Sequence, residues 1–180
     1  MIRIATAECF THGYVGREIH ASASGYEGEL GADVIGTDLK GRASLVASCF
    51  IPTISGLRTL LGLEPPEPDE VTPSGAKAYR EETDRKVAVM MARAVRERTG
   101  ADLGVGTTAG IGRGAIALDD GEVTVVARTD VEANLLKPDE RILRRQRQGI
   151  KRALLLVREY VLGDLERFVE GVEWAEKIRG

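Results

Sequence analysis

The chain has 180 residues, of which 43% are hydrophobic and 29% charged, with a net charge of −3; this is the make-up of one ordinary globular domain, long enough to bury a core. The slightly acidic balance and an aromatic share of 4% argue against a nucleic-acid footprint and against a base-stacking platform. No apolar run approaches the roughly 18–20 residues of a membrane span, no signal-peptide layout opens the chain, and two cysteines make no disulfide framework, so a reducing, cytoplasmic setting is expected.

Residues 2–7 (IRIATA) read as a β-strand. The strand breaks into a polar loop carrying Glu8, Cys9, Thr11, His12 and Gly13, and a helical pattern follows from about Tyr14 to Ser24. Gly25, Gly28 and Gly31 then interrupt it, as turn residues do. Residues 32–37 (ADVIGT) are expected to form a short strand. Residues 43–51 (ASLVASCFI) are apolar enough for a central strand covered on both faces. Thr53 or Ser55 is placed to cap a helix through Leu57, Leu60 and Leu61 that stops at Gly62. Residues 64–73 hold four of the six prolines and read as a surface connection. The spacing of Val87, Met90, Met91, Ala94 and Val95 predicts a long amphipathic helix over residues 74–98, closed by Gly100.

Residues 101–114 (ADLGVGTTAGIGRG) read as a strand leading into a glycine-rich loop. Two further strands, 115–118 and 123–127, flank Asp119-Asp120-Gly121, a tight-hairpin signal. A second long helix is expected from Pro138 to about Leu162, with Gly149 weakening its middle, and a terminal amphipathic helix over residues 164–178. This order predicts a single α/β domain over residues 1–180, a three-layer α/β/α sandwich around a mixed sheet.

Chemistry concentrates in two stretches. A strand that ends in a loop at a helix N-terminus is where α/β proteins place their sites, and here that loop holds a cysteine. The orphan N–H groups of the helix are expected to favour its thiolate. Gly13 allows close backbone approach to a ligand, and His12 is the nearest candidate base. The alternative is a small buried hydrophobe, the commonest fate of a free cysteine. The second stretch, Gly104 to Gly114, ends in no Gly-Lys-Ser/Thr and lacks the spacing of a dinucleotide fingerprint. It reads either as a tight turn or as a concavity of backbone amides for an anion, with Thr107, Thr108 and Arg113 at its rim. Arg141, Arg144, Arg145, Arg147, Lys151 and Arg152 make the start of the later helix basic, which reads as a solvated face or as a phosphate contact by one of them. No metal-ligand spacing is present, and no metal is expected.

The segment Ala5-Thr6-Ala7-Glu8-Cys9-Phe10-Thr11-His12-Gly13, with the loop at 104–114, resembles the HcgF family. These are small methanogen proteins of the pathway that builds the iron-guanylylpyridinol cofactor of Fe-hydrogenase. The resemblance covers essentially the whole chain. It implies that Cys9 takes the carboxyl group of guanylylpyridinol as a thioester, after a separate enzyme, HcgE, has adenylylated it. It also implies that the ligand lies across the two loops, near Thr6, Glu8, Thr11, His12, Gly13, Thr107, Thr108, Gly110, Gly112 and Arg113. The protein would then have no cofactor of its own, guanylylpyridinol as ligand, HcgE as partner and a homo-oligomeric state.

A more distant likeness is to the CinA C-terminal domain, a pyridine-nucleotide amidohydrolase. Its nucleophilic serine would fall at Cys9, and its Thr-Gly-Ile-Ala-Gly loop resembles residues 108–112. The Tyr and Lys of that family, expected near residues 52–57, are absent here. Three readings therefore stand: a cysteine-dependent acyl acceptor, a CinA-like amidohydrolase, and a non-catalytic module that binds guanylylpyridinol with Cys9 merely packed.

Overall fold

The sheet grows outward from β1 (Ile2–Glu8), whose last five residues are buried. In the computed structural model, which describes residues 1–178, β1 runs parallel to β2 (Ala43–Phe50) on one side and to β5 (Leu103–Thr108) on the other. From β5 the chain continues antiparallel through β6 (Ile111–Asp119), β7 (Thr124–Asn134) and β8 (Ala175–Ile178). The order across the sheet is β2-β1-β5-β6-β7-β8.

Parallel neighbours need crossover connections, and helices supply them. Between β1 and β2 lies α1 (Tyr14–Ser24); between β2 and β5 lie a short α2 (Ile54–Gly56) and the long α3 (Glu81–Thr99). Alternation along β1 divides the core. Ile4 joins Val15, Ile19, Leu154 and Val157 on the face covered by α1 and by α4 (Arg141–Leu162). Ala5 and Ala7 join Val87, Met91 and Val95 under α3. A mixed sheet between two helical layers is the architecture that the element pattern predicts. Among the described residues no helix is long and apolar enough to cross a membrane.

Several local expectations are corrected. Residues 32–37 form no strand: they coil through successive turns, bringing Ile35 and Leu39, four residues apart, into the core. The buried Glu18 carboxylate anchors the start of that coil by accepting the Glu29 and Gly31 N–H groups at 3.1 and 3.0 Å. β2 is an edge strand rather than a central one, and Val46 and Phe50 remain exposed. Thr53 does cap the next turn, its hydroxyl accepting the Gly56 N–H at 3.1 Å, but the helix soon widens into a single π-helical segment, Leu57–Leu61. Residues 74–80 do not extend α3. Gly75 turns at φ +82°, and β4 (Lys77–Ala78) pairs with β3 (Glu70–Val71). The terminal helix is also shorter: α5 (Leu165–Glu170) ends at Gly171, and β8 returns to seal the edge of β7.

The glycines at 104 and 106 belong to a strand, and packing explains them. A Cβ at Gly104 would lie 2.0 Å from the Ala92 carbonyl oxygen of α3, and one at Gly106 would lie 2.1 Å from that of Ala88. Small residues on both partners, Ala88 and Ala92 against Ala115 and Ala117, complete this close seam. Asp119, buried at the end of β6, fixes the helix in place by accepting from Arg93 Nε (3.1 Å), Arg96 Nε (2.9 Å) and the Thr124 hydroxyl (2.6 Å). The obstacle at Gly106 is backbone, which cannot swing aside. Gly106→Ala is therefore expected to destabilise the fold by about 3 kcal/mol, the upper end of overpacking costs, seen as a lower urea midpoint with an unchanged slope.

Candidate functional site

At the end of β1 the chain crosses first to one side of that strand, through α1, and later to the other, through α3. The two crossovers pass over opposite faces, so the carboxyl ends of β2, β1 and β5 flank a crevice, the usual ligand position in such sheets. Cys9 is the first residue beyond β1. Its N–H donates to the Thr107 carbonyl oxygen at 2.8 Å, so it keeps its place beside β5. The chain then reverses: the His12 N–H donates to the Cys9 carbonyl oxygen at 3.1 Å, and His12 and Gly13 take left-handed φ angles of +54° and +84°. A positive φ is uncommon for a residue with a side chain, and it turns His12 outward just before α1 starts.

The buried Glu8 holds this reversal together. Its Oε1 accepts from the Thr6 hydroxyl (2.9 Å) and the Gly16 N–H (2.7 Å); its Oε2 accepts from the Thr11 hydroxyl (2.6 Å) and the Val15 N–H (3.1 Å). The open amides of α1 thus go to Glu8, which corrects the expectation that they would serve the Cys9 thiolate. Thr107 joins from β5, its hydroxyl lying 2.7 Å from that of Thr11 and accepting the Cys9 N–H at 3.3 Å. Phe10 pins the loop from the other side. Its ring occupies space that a Cβ at Gly149 or Gly114 would invade, at 2.4 and 2.7 Å, so Gly149 in the middle of α4 is the seat of a loop residue.

Cys9 opens onto a cavity of about 310 Å³ whose apolar walls include Phe50, Ala109, Leu135 and Ile142. His12 stands at its rim with its ring 5.0 Å from that of Phe50. Much of the His12 surface is open to solvent, yet partial burial lowers its pKa below the usual histidine value, against a smaller upward pull from Glu8. The inner wall carries Arg145 and Gln146. Arg145, only 2% exposed, donates through Nη1 to the carbonyl oxygens of Gly110 (3.2 Å), Gly112 (2.7 Å) and Ala133 (2.9 Å). The solvated face expected for the basic run therefore fails at this position. The signal was present in the helical spacing, because 145 continues the buried stripe of Gly149, Ala153 and Leu156.

Of the residues expected at the site, Cys9 and His12 line the cavity. Thr6, Glu8, Thr11 and Thr107 form the buried scaffold behind Cys9, and Gly13 caps α1. Thr108 and Gly110 are engaged elsewhere: the Thr108 hydroxyl (3.0 Å) and the Gly110 N–H (2.8 Å) both donate to the Asp84 carboxylate. Arg113 is held to Glu81 at 3.1 Å. It faces a separate groove of about 450 Å³, the larger of the two, beside Arg85, Lys86 and Arg128. That groove holds no nucleophilic thiol. Asp84, Phe10 and Phe50 are the residues that sequence reasoning missed, and Arg145 stands out there only as one member of the basic run.

Burial pushes the Asp84 pKa up to about 6, although the Gly110 N–H, the Thr108 hydroxyl, Lys77 and Arg145 all act to lower it. A carboxyl group whose pKa is raised in the fold stabilises the fold while protonated, and that contribution disappears as pH rises from about 4 through 6. Asp84→Asn keeps an acceptor for Gly110 and cannot ionise. Between pH 4 and pH 7, wild type is expected to lose about 2 kcal/mol relative to this variant, measured as the difference in urea unfolding free energy.

Residues 1–161 match the model of a family described as FeGP cofactor biosynthesis protein HcgF. The chain is 72% identical over 178 residues to UPF0254 protein MK0012 of Methanopyrus kandleri, covering 99% of this chain and 97% of that one. It is 52% identical over 166 residues to a UPF0254 protein of Methanothermobacter thermautotrophicus, with 89% and 99% covered. A third relative, UPF0254 protein MmarC6_1720 of Methanococcus maripaludis, is 38% identical over 167 residues, with 90% and 99% covered. A family match over most of the length, with such relatives, means that this chain belongs to the HcgF family of FeGP cofactor biosynthesis proteins.

Proposed function

We propose that this protein is the acyl acceptor for activated guanylylpyridinol in FeGP cofactor biosynthesis. The observation that carries the reading is the shared cavity: Cys9, His12 and the buried cation of Arg145 line one space. Its size is at the lower end of ligand sites, and its apolar walls suit the pyridinol ring, with the guanosine end outside. The carboxyl group arrives as its adenylate, made by a partner such as HcgE. His12 takes the proton of the Cys9 thiol, and Sγ attacks the acyl carbon to form a C–S bond. The bond from that carbon to the phosphate oxygen breaks, AMP leaves with the electron pair, and the acyl group remains on Cys9. A thioester keeps the acyl group activated for a later acceptor, and a thiolate needs less help from a base than a hydroxyl does.

Incubation with guanylylpyridinol, ATP and the adenylylating partner is expected to raise the intact mass by one ligand less water. Cys9→Ala should abolish the gain and hydroxylamine should reverse it. An unchanged mass in the demonstrated presence of adenylate would refute the acyl-acceptor reading.

Because its pKa is lowered from 6.5, His12 is neutral and able to accept a proton at pH 7. The acylation rate is expected to be level near neutrality and to fall only below pH 6.5. His12→Gln should slow acylation roughly 100-fold or more and remove that acidic limb, as followed by AMP release in single-turnover mixing.

A further inference from the structure

Arg145 is bonded along one edge only. Nη1 takes all three backbone carbonyls, whereas Nε is fully buried with no partner. Among the described residues Nη2 donates no hydrogen bond, and no carboxylate forms a salt bridge with the guanidinium; Asp84 is already engaged by Thr108 and Gly110. A buried donor without an acceptor costs the fold its desolvation penalty, about 1–3 kcal/mol and more for a charged group. Arg145 belongs to the lining of the Cys9 cavity, and a buried orphan donor of this kind points to an absent acceptor. The unbonded edge also has a shape. The Nε and Nη2 donors of a guanidinium lie side by side and parallel, matching two oxygens of a carboxylate or phosphate. The three carbonyls fix the plane of the group, so the fork is pre-oriented before any ligand arrives.

We propose that the Nε–Nη2 edge of Arg145 is the oxyanion receptor of the Cys9 cavity, donating two parallel hydrogen bonds to one anionic group of the ligand. This assignment rests on the acyl-acceptor reading for the identity of that ligand. Guanylylpyridinol offers two such groups, its carboxylate and its guanylyl phosphate. With the carboxylate on Arg145, the carbon to be attacked sits in the same cavity as Sγ. With the phosphate there, the nucleotide end enters first.

The test uses the whole protein with unactivated guanylylpyridinol, so no thioester step is involved. The Arg145 Nε–H resonance, assigned by its loss in Arg145→Lys, is expected to move downfield when guanylylpyridinol is added. If GMP leaves it in place the carboxylate is the group bound; if GMP moves it equally, the phosphate is. Arg145→Lys keeps the charge but has no fork, and it should bind guanylylpyridinol roughly 10- to 100-fold more weakly with a native circular-dichroism spectrum. A stationary Nε–H resonance under saturating guanylylpyridinol would overturn the proposal, leaving Arg145 as a brace for the carbonyls. Because this readout does not depend on Cys9, receptor binding without a mass adduct would sink acyl transfer and spare the receptor, and the reverse result would do the opposite.

Discussion

A carboxylate with no water around it has to find its hydrogen bonds within the protein, and Glu8 finds four. Two come from hydroxyl groups at either end of the Cys9 turn and two from the first amides of α1. The end of β1, the reversal at His12 and Gly13, and the start of α1 are thereby fixed to one side chain. The negative charge also sits where a helix N-terminus favours it. Cys9 is held between this knot and the Phe10 ring, so its position is set by buried neighbours rather than by the loop itself. Removing the Glu8 carboxylate would free four donors at once.

Sequence pattern made the scaffold legible where periodicity reports burial directly. The β-type run of β1, the 3.6-residue spacing in α3 and the Asp120-Gly121 hairpin all survive in the structure. It failed where tertiary context overrides local preference. The apolar run of β2 lies at a sheet edge with Val46 and Phe50 exposed, and Phe50 serves as a cavity wall. Residues 175–178 follow a helical pattern but complete the sheet against β7, an arrangement that only long-range pairing can decide.

The lining of the candidate cavity was legible by half. Cys9 and His12 announce themselves because polar residues interrupt a strand just before a helix. Arg145 is hidden among five other basic residues at the start of one helix, and its meaning depends on register: one position earlier, Arg144 is exposed to solvent. The glycines misled in the opposite direction. Their density at 104–114 resembles an anion loop, yet Gly104 and Gly106 make room for the backbone of α3, and the Gly110 amide is already bonded to Asp84. Close packing and close ligand approach call for the same residue, and sequence alone does not separate them.

The cavity draws its thiol from the first strand and its cation from the last long helix, with the carbonyls of Gly110, Gly112 and Ala133 between them. Chains are synthesised from the N-terminal side, so Cys9 leaves the ribosome long before the wall that encloses it exists. The enclosing wall is therefore the last part of the cavity to be made. A truncated or half-made copy exposes the cysteine without the cavity, and only a chain completed through α4 encloses it.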